Sequence, residues 1–188
     1  MNVFDFDNTI YDGESFIDIF LMILNRDPSL LKYTPYMLSG VIQYKLGTLR
    51  FDTAFAKYSK YFEEYIVTLK DYDGLAVEFW DKHMDKIKPF YKDIQQEDDL
   101  VISASPEIVI AEICRRLGIK NYIGSVFDTQ TGKIERVCFR EKKIDAFFER
   151  YPDGKIDCLY TDSMHDKPLM DISEKVFFVK GNKIKQIK

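Results

Sequence analysis

The stretch FDFDNTIYDGES, residues 4–15, places two carboxylates where they could do chemistry. Asp5 and Asp7 stand two residues apart at the end of the first apolar run, and Thr9 follows two residues later. Carboxylates at this spacing repel each other, and burying one without a partner is costly. We therefore expect a cation or another positive group to compensate this pair.

The elements around this pair predict an α/β fold. Residues 2–6 (NVFDF) predict a strand that ends at the acidic pair, and further strands are predicted at LVISAS, NYIGSVF, KIDCLY and KVFFVK, before a basic tail, GNKIKQIK. Helical patterns lie between them at PEIVIAEICRRLGI, with Pro106 in its first turn and Gly118 at its end, and at KKIDAFFERY. This alternation predicts a Rossmann-like, mostly parallel sheet with helices on both faces.

A helical insert is predicted between the first and second strands. Apolar residues recur at spacings of three and four in SFIDIFLMIL, LLKYTPYMLSGVIQYKL, FDTAFAKYSKYFEEYIVTL and GLAVEFWDKHMDKI. We expect an α/β core over residues 1–13 and 92–188, and an all-helical unit over residues 14–91, hereafter the helical insert.

The helical insert is rich in aromatic residues, most of which we expect to pack its bundle. A minority could line an apolar specificity pocket or a shallow surface that faces a membrane. These residues are Phe16, Phe20, Tyr33, Tyr36, Tyr44, Phe51, Phe55, Tyr58, Tyr61, Phe62 and Tyr65.

Composition narrows the class of protein. The 188 residues are 46% hydrophobic and 31% charged, which is typical of a globular chain with its own core. A formal net charge of -4 implies no strong attraction to nucleic acid. Three widely spaced cysteines and two histidines argue against a disulfide framework or a zinc site, and favour reduced thiols in a cytoplasm.

Hydropathy favours a soluble, cytoplasmic protein. The chain opens without the basic and apolar segments of a secretory signal. Its longest apolar run, FIDIFLMIL, is about half of what spans a bilayer and contains Asp18, so we expect no stable membrane insertion. The oligomeric state is left open.

The carboxyl ends of the parallel strands are predicted to gather polar residues into one site, since open α/β sheets bind ligands there. These residues are Asp5, Asp7, Ser103, Ser105 and Asp162, joined by a lysine at position 142 or 143. Clustered carboxylates without histidine or thiolate favour Mg²⁺, which takes one or two carboxylates and leaves positions for water and phosphate oxygens. A hydroxyl and a lysine can bind the remaining phosphate oxygens, so the site predicts a phosphorylated ligand.

Four segments, DFDNT, ISAS, Lys143 and TDSMHD, resemble in that order the motifs of the haloacid dehalogenase superfamily. The resemblance covers the whole chain and is to the phosphoserine-phosphatase-like branch, in which a helical insert at this point forms a cap over the site. It implies a Mg²⁺-dependent phosphomonoesterase that hydrolyses a small phosphorylated metabolite through an aspartyl-phosphate intermediate.

The resemblance also implies roles for individual residues. Asp5 would be the nucleophile, and Asp7 would protonate the leaving oxygen and later take a proton from water. Mg²⁺ would be held by the Asp5 carboxylate, the backbone carbonyl of Asp7 and the Asp162 carboxylate. The phosphoryl oxygens would be bound by Ser103 with Ala104 and by Lys143. Thr9 would support the turn that carries Asp5, and Asp166 would hold a metal-bound water or orient Lys143.

Several assignments stay open at this point. Lys143, which precedes an apolar residue as the family's lysine does, is favoured over Lys142, and Ser103 is favoured over Ser105, which could instead cap the helix beginning at Pro106. Glu14 could contact a substrate as a glutamate of phosphoserine phosphatases does, or could simply be an acid at a helix N-terminus. The sequence after Ser103 lacks the Gly-Gly pair of those enzymes, which leaves the substrate open.

Two alternative functions share this chemistry. A phosphotransferase would use the same intermediate with another acceptor, and a protein that binds a phosphorylated ligand without turnover would keep the same fold. A receiver-type signalling module is disfavoured because its phosphorylated aspartate ends a later strand and no insert of about ninety residues follows it.

Overall fold

The computed structural model describes residues 1–36, 39, 43 and 50–188. Its centre is a seven-stranded sheet of strand order β4-β3-β2-β1-β5-β6-β7. The strands are β1 (Asn2–Phe4), β2 (Leu100–Pro106), β3 (Asn121–Phe127), β4 (Ile134–Arg136), β5 (Ile156–Thr161), β6 (Ser173–Lys180) and β7 (Lys183–Gln186). The five inner strands are parallel, and β4 and β7 are antiparallel strands at the two edges. The predicted α/β fold with a mostly parallel sheet is confirmed.

The central strand β1 lies between β2 and β5, with Phe4 paired to Val101 on one side and to Tyr160 on the other. The Asp5 N–H continues this pairing by donating to the Tyr160 carbonyl at 2.9 Å. The chain then turns, because the amides of Ile10 and its neighbours bond the Phe6 carbonyl. All three strands therefore end on the same edge of the sheet, which is where the predicted site residues follow them.

Helices cover both faces of the sheet. The described helices are α1 (Ser15–Arg26), α2 (Phe51–Thr68), α3 (Tyr72–His83), α4 (Pro89–Ile94), α5 (Glu107–Leu117), α6 (Glu141–Arg150) and α7 (Lys167–Ile172). Short 3-10 helices lie at Pro28–Tyr33, Met84–Lys86 and Met164–Asp166. Successive strand residues face opposite sides: Val101 joins the apolar cluster that includes α1 to α5, while Leu100 and Ile102 join the cluster beneath α6 and α7.

Three of the four helical segments predicted in the insert contain described helices, namely α1, α2 and α3. The remaining segment, LLKYTPYMLSGVIQYKL, begins within Pro28–Tyr33, and about half of it lies outside the described residues, as does the whole of the predicted connection LGTL. Tyr44 and the side chains of Phe51 and Phe55 are also outside them.

Helix α3 of the insert packs against α5 and against the turn that follows β1. The Trp80 indole N–H donates to the Val109 carbonyl at 2.7 Å, which fastens α3 to α5. The same indole lies 5.7 Å from the Phe6 ring and 5.5 Å from the Tyr11 ring, measured between centroids. One continuous apolar cluster thus joins the insert to β1, and the division into core and cap stays a prediction.

The basic tail GNKIKQIK forms β7, an exposed strand paired antiparallel with β6. Lys180 pairs with Lys183, so the loop between the strands is Gly181-Asn182, and Gly181 has a φ of 58°. A two-residue loop of this kind is a hairpin signal that the sequence analysis overlooked. The three cysteines are free, and no described helix is long and apolar enough to cross a membrane.

Candidate active site

A buried lysine lies between two carboxylates at the carboxyl edge of the sheet. The Lys143 ammonium, on α6, is 2.8 Å from Oδ1 of Asp5, which follows β1, and 2.7 Å from Oδ1 of Asp166, which follows β5. Lys143 is 3% exposed, Asp166 is 2% exposed and Asp5 is 8% exposed. Lys142 is exposed and its ammonium is 3.4 Å from Asp145 instead, so Lys143 is the lysine that reaches the site.

Negative charge exceeds positive charge around this lysine. Burial raises the pKa of Asp5 well above its usual value; Lys143 lowers that pKa, whereas Asp166 and Asp162 raise it further. Burial by itself would lower the pKa of Lys143, but the carboxylates of Asp5 and Asp166 outweigh burial and raise it. When the three carboxylates are ionised, one ammonium does not balance them, and a bound cation would stabilise the arrangement.

The donor atoms present fit a hard divalent cation. Asp162 lies beside Asp5, and burial raises the pKa of Asp162 while a hydrogen bond with Asp5 opposes that change. Within the described ranges, no three acidic, histidine or cysteine side chains form a complete metal site. Mg²⁺ does not require one, since it is usually bound by one or two carboxylates together with water and substrate phosphate oxygens.

Asp166 is held in place from its other side. Its Oδ2 accepts a hydrogen bond from the Thr161 hydroxyl at 2.8 Å, and its N–H donates to the Ser163 carbonyl at 3.2 Å. The first contact comes from the last residue of β5 and the second from the turn that follows it. Asp166 therefore presents Oδ1 to Lys143 in a defined position, which is the orienting contact that the sequence resemblance offered as one of two roles.

Asp7 is bound by two serines. Its Oδ1 accepts the Ser15 N–H at 2.7 Å and its Oδ2 accepts the Ser105 hydroxyl at 2.8 Å. The hydroxyls of Ser15 and Ser105 are also 2.9 Å apart. Burial raises the pKa of Asp7, and the hydrogen bonds from these serines oppose that rise. A carboxyl group with a raised pKa is suited to donate a proton.

The expectation that Ser105 caps a helix is wrong. The N-cap residue of α5 is Pro106, and it makes no side-chain capping bond. The Ser105 hydroxyl instead donates to Asp7 and lies 2.9 Å from the Ser15 hydroxyl, on the side of β2 covered by the insert. The pairing of β2 with β3 shifts register between Ile102 and Pro106, so simple alternation along the strand could not have indicated this contact.

Two of the three predicted phosphate-binding residues, Ser103 and Ala104, lie at the end of β2. Ser103 is fully buried, and its hydroxyl oxygen accepts the Ser105 N–H at 3.0 Å. Because a hydroxyl also has one proton to donate, Ser103 can still bind an acceptor such as a phosphoryl oxygen. Ala104 is exposed, and its carbonyl accepts a hydrogen bond from Ser125 at 2.7 Å.

The turn between β1 and α1 holds the two remaining predicted residues. Thr9 is fully buried; its N–H donates to the Phe6 carbonyl at 3.2 Å and so supports this turn, while its hydroxyl has no hydrogen-bond partner within the described part of the chain. Glu14 is the N-cap residue of α1, without a side-chain capping bond, and its carboxylate accepts a hydrogen bond from the Asn8 amide at 2.9 Å. Asn8 adopts a φ of 55°, which lets the chain reverse here.

Lys88 is a second buried lysine near the site, and the sequence analysis missed it. It is 4% exposed, its ammonium donates to the Asn8 carbonyl, and its N–H donates to the Ile10 carbonyl at 2.8 Å. Burial lowers its pKa, while Asp12 and Asp162 raise it. Its partner is a backbone oxygen eighty residues away, which no local pattern predicts.

The Ser105 contact makes a testable prediction. Ser105→Ala removes the donor to Asp7 Oδ2, and we expect kcat to fall about ten- to a hundredfold because a hydrogen bond to a charged group is worth about 1.5–3 kcal/mol. Ser173→Ala is the matched control, since this equally buried serine donates to the Leu169 carbonyl at 2.7 Å, at the start of β6. Both variants should lose some stability in urea unfolding, and an equal effect of both on kcat would contradict the role of Ser105.

Comparison with solved structures shows which proteins share this fold. A protein of unknown function from Bordetella pertussis Tohama I is 18% identical, with a TM-score of 0.72 over 91% of this chain and 85% of that one. A phosphoserine phosphohydrolase-like protein from Francisella tularensis subsp. tularensis SCHU S4 is 18% identical, with a TM-score of 0.60 over 94% and 86%. Phosphoserine phosphatase from T. onnurineus is 17% identical, with a TM-score of 0.56 over 94% and 81%. At these identities the likeness concerns the fold.

Comparison with the sequences of curated proteins finds no match to this chain. The family model for haloacid dehalogenase-like hydrolase matches residues 3–171, which include the three strand ends, Lys143 and the whole helical insert. The chain therefore belongs to the haloacid dehalogenase-like hydrolase family.

Proposed function

We propose that this hydrolase is a Mg²⁺-dependent phosphomonoesterase that acts on a small phosphorylated metabolite through an aspartyl-phosphate intermediate. The observation that carries the proposal is the Lys143 ammonium held between Asp5 and Asp166, in a site whose carboxylates outnumber its cations. Its fold, shared with a phosphoserine phosphatase, further supports phosphatase chemistry.

In the proposed first step, an oxygen of Asp5 attacks phosphorus and the bond from phosphorus to the ester oxygen breaks. Asp7 donates its proton to the leaving alkoxide, for which its raised pKa suits it. Lys143 and the Ser103 hydroxyl bind the phosphoryl oxygens as charge shifts onto them. Asp5 then carries the phosphoryl group on its carboxylate oxygen as an acyl phosphate.

In the proposed second step, Asp7 accepts a proton from water, which attacks phosphorus and breaks its bond to Asp5. Phosphate leaves and the Asp5 carboxylate is restored. Asp5, the Asp7 backbone carbonyl and Asp162 would hold Mg²⁺, which when bound neutralises the charge of the phosphoryl group and its nucleophile. Asp166 keeps Lys143 in place, and Glu14 is retained as a candidate contact to the rest of the substrate.

The helical insert would serve as the cap in this proposal, with residues 1–13 and 92–188 as the catalytic core. A cap that covers the site would limit the access of water, which hydrolysis of an aspartyl-phosphate requires. We place the enzyme in a cytoplasm because its three cysteines are free. Two alternatives are a phosphotransferase and a protein that binds a phosphorylated ligand without turnover. Activity measurements distinguish both from the proposed phosphomonoesterase.

Metal dependence tests the proposal directly. With p-nitrophenyl phosphate at neutral pH, we expect EDTA to abolish turnover and excess Mg²⁺ to restore it. Asp162→Asn should raise the Mg²⁺ concentration for half-maximal activity more than about tenfold, because one of two carboxylate ligands is lost. The control is Asp171→Asn, whose exposed carboxylate pairs with Lys167 at 2.7 Å.

Each result of this test has a definite meaning. Turnover that persists unchanged in EDTA would refute the metal dependence. Turnover that is metal-dependent but insensitive to Asp162→Asn would refute the assigned ligand. Release of p-nitrophenol only when a second alcohol is supplied, with the phosphoryl group recovered on that alcohol and not as free phosphate, would favour the phosphotransferase.

A further inference from the structure

A short antiparallel ribbon joins residues 10–12, in the turn that follows β1, to residues 86–88, near the end of the helical insert. One of its hydrogen bonds runs from the Lys88 N–H to the Ile10 carbonyl at 2.8 Å. The two segments are far apart in the sequence, and their pairing brings Lys88 beside the turn that carries Asp7.

The Lys88 side chain is directed at the same turn. Its ammonium donates a hydrogen bond to the Asn8 carbonyl, and the residue is only 4% exposed. Lysine is seldom buried to this extent unless its charge has partners. Asp12 and Asp162 lie close enough to stabilise that charge. The ammonium is therefore compensated by groups that belong to the turn and to the strand ends of the site.

The partner of Lys88, Asn8, fixes the direction of the chain directly after Asp7. Its φ of 55° lies in the left-handed region, which is uncommon for residues other than glycine. The Asn8 N–H donates to the Gly13 carbonyl at 3.0 Å, and its side-chain amide donates to Glu14 at 2.9 Å. With the carbonyl bound by Lys88, both backbone polar groups of Asn8 have partners that hold this conformation.

The conformation of Asn8 decides where the Asp7 carboxylate lies. Asp7 accepts the Ser15 N–H at 2.7 Å and the Ser105 hydroxyl at 2.8 Å, and these partners belong to α1 and β2. A rotation of the peptide after Asp7 would therefore move the carboxylate relative to both serines. Displacing a reacting group by about 1 Å can lower the rate about 100-fold.

We propose that Lys88 is a positioning residue for Asp7: its ammonium holds the Asn8 carbonyl and thereby keeps the Asp7 carboxyl group where it can protonate the leaving oxygen. This inference rests on the proposed function and adds a residue to it. Lys88 acts through the backbone of the turn and needs no contact with the substrate. Its loss should impair the transfer of the Asp7 proton to the ester oxygen more than it impairs binding of the phosphoryl group.

Two esters of similar shape separate these effects in the full chain with Mg²⁺. Phenolate is about as basic as the tyrosine side chain, whose pKa is about 10, and needs a proton as it leaves, whereas p-nitrophenolate is a much weaker base. The leaving-group ratio is kcat/KM for phenyl phosphate divided by kcat/KM for p-nitrophenyl phosphate. In Lys88→Met we expect this ratio to fall about tenfold, because a general acid typically contributes about 10²–10⁴-fold. A loss of folded protein would lower both values equally and leave the ratio unchanged.

Further variants show whether Lys88 acts through Asp7. In the Asp7→Asn background the proton is already missing, so adding Lys88→Met should not change the leaving-group ratio again. Lys86→Met is the matched control, since Lys86 lies on the same ribbon but its ammonium pairs with Asp18 at 2.7 Å, and it should keep the wild-type ratio. If Lys88→Met does not fold, Lys88→Gln takes its place, because its shorter side chain reaches the Asn8 carbonyl less well, and the same fall is expected.

Amide hydrogen exchange measured by NMR keeps the inference testable if the chain hydrolyses neither ester. The Ser15 N–H, which Asp7 accepts, and the Asn8 N–H should exchange at least about tenfold faster in Lys88→Met, relative to the amides of β5, and at the wild-type rate in Lys86→Met. This result without hydrolysis by the wild type would support the role of Lys88 in the turn and refute the proposed function. A wild-type leaving-group ratio and wild-type exchange in Lys88→Met, with both esters hydrolysed, would overturn the inference and leave the proposed function standing.

Discussion

Asp5→Asn is expected to fold normally and to lose hydrolysis of p-nitrophenyl phosphate by at least about 10⁴-fold, because the amide cannot form the covalent intermediate. The substitution keeps the shape of the side chain and removes one carboxylate from a site that has too many. Lys143 retains Asp166 at 2.7 Å, so no charge is left unpaired. Melting temperature and kcat, measured on the same preparation, check both halves of this prediction.

The matched control for Asp5→Asn is Asp12→Asn. Asp12 lies in the same turn but is exposed, and its N–H, which the substitution leaves intact, donates to the Lys86 carbonyl at 2.8 Å. We expect this variant to keep its activity within a small factor. Hydrolysis retained by Asp5→Asn would refute Asp5 as the nucleophile, whatever the behaviour of the control.

Lys143→Met is expected to be the most destabilising of the site substitutions. It keeps the length of the side chain but leaves Asp5 and Asp166 buried without their shared cation, and breaking a buried pair in this way costs about 3–5 kcal/mol. Turnover should fall at least about 10³-fold, because the phosphoryl oxygens also lose a positive partner. Urea unfolding gives the free energy of unfolding, and kinetics on the folded fraction gives kcat/KM.

Two further variants make the Lys143 prediction decisive. Lys142→Met, at the neighbouring exposed position, should change neither stability nor activity measurably, since its pair with Asp145 is exposed. Lys143→Arg keeps the charge but replaces a compact ammonium by a planar fork, so it should retain more stability than Lys143→Met and still lose activity. Similar losses from Lys142→Met and Lys143→Met would contradict the geometry of the site.

Asp5, Lys143 and Asp166 show why crowded carboxylates are tolerated at this position. Lys143 reaches two of them at once, and the remaining negative charge around Asp5 and Asp162 favours a cation. Binding of the proposed Mg²⁺ would relieve the repulsion noted in the sequence. Lys88 adds a second ammonium near this turn, and that ammonium donates a hydrogen bond to the Asn8 carbonyl.

Much of the fold was predictable because it depends on local periodicity. The short apolar runs of β1 and β2 and the helical patterns that became α1, α5 and α6 are properties of short segments, and the order of strands and helices along the chain predicted the mostly parallel sheet correctly. The β7 strand was missed because its alternation is lysine-rich and fully exposed, so no apolar face marks it.

The sequence by itself determined which chemistry the site contains. The order of DFDNT, ISAS, Lys143 and TDSMHD, together with the scarcity of histidine and cysteine, was enough to predict carboxylates, a hydroxyl and a lysine at the strand ends. Only the tertiary structure decided which atoms meet: that Lys143 rather than Lys142 joins Asp5 to Asp166, and that Ser105 serves Asp7. These contacts join segments far apart in the chain, so their distances depend on how the strands and helices pack and not on any local pattern.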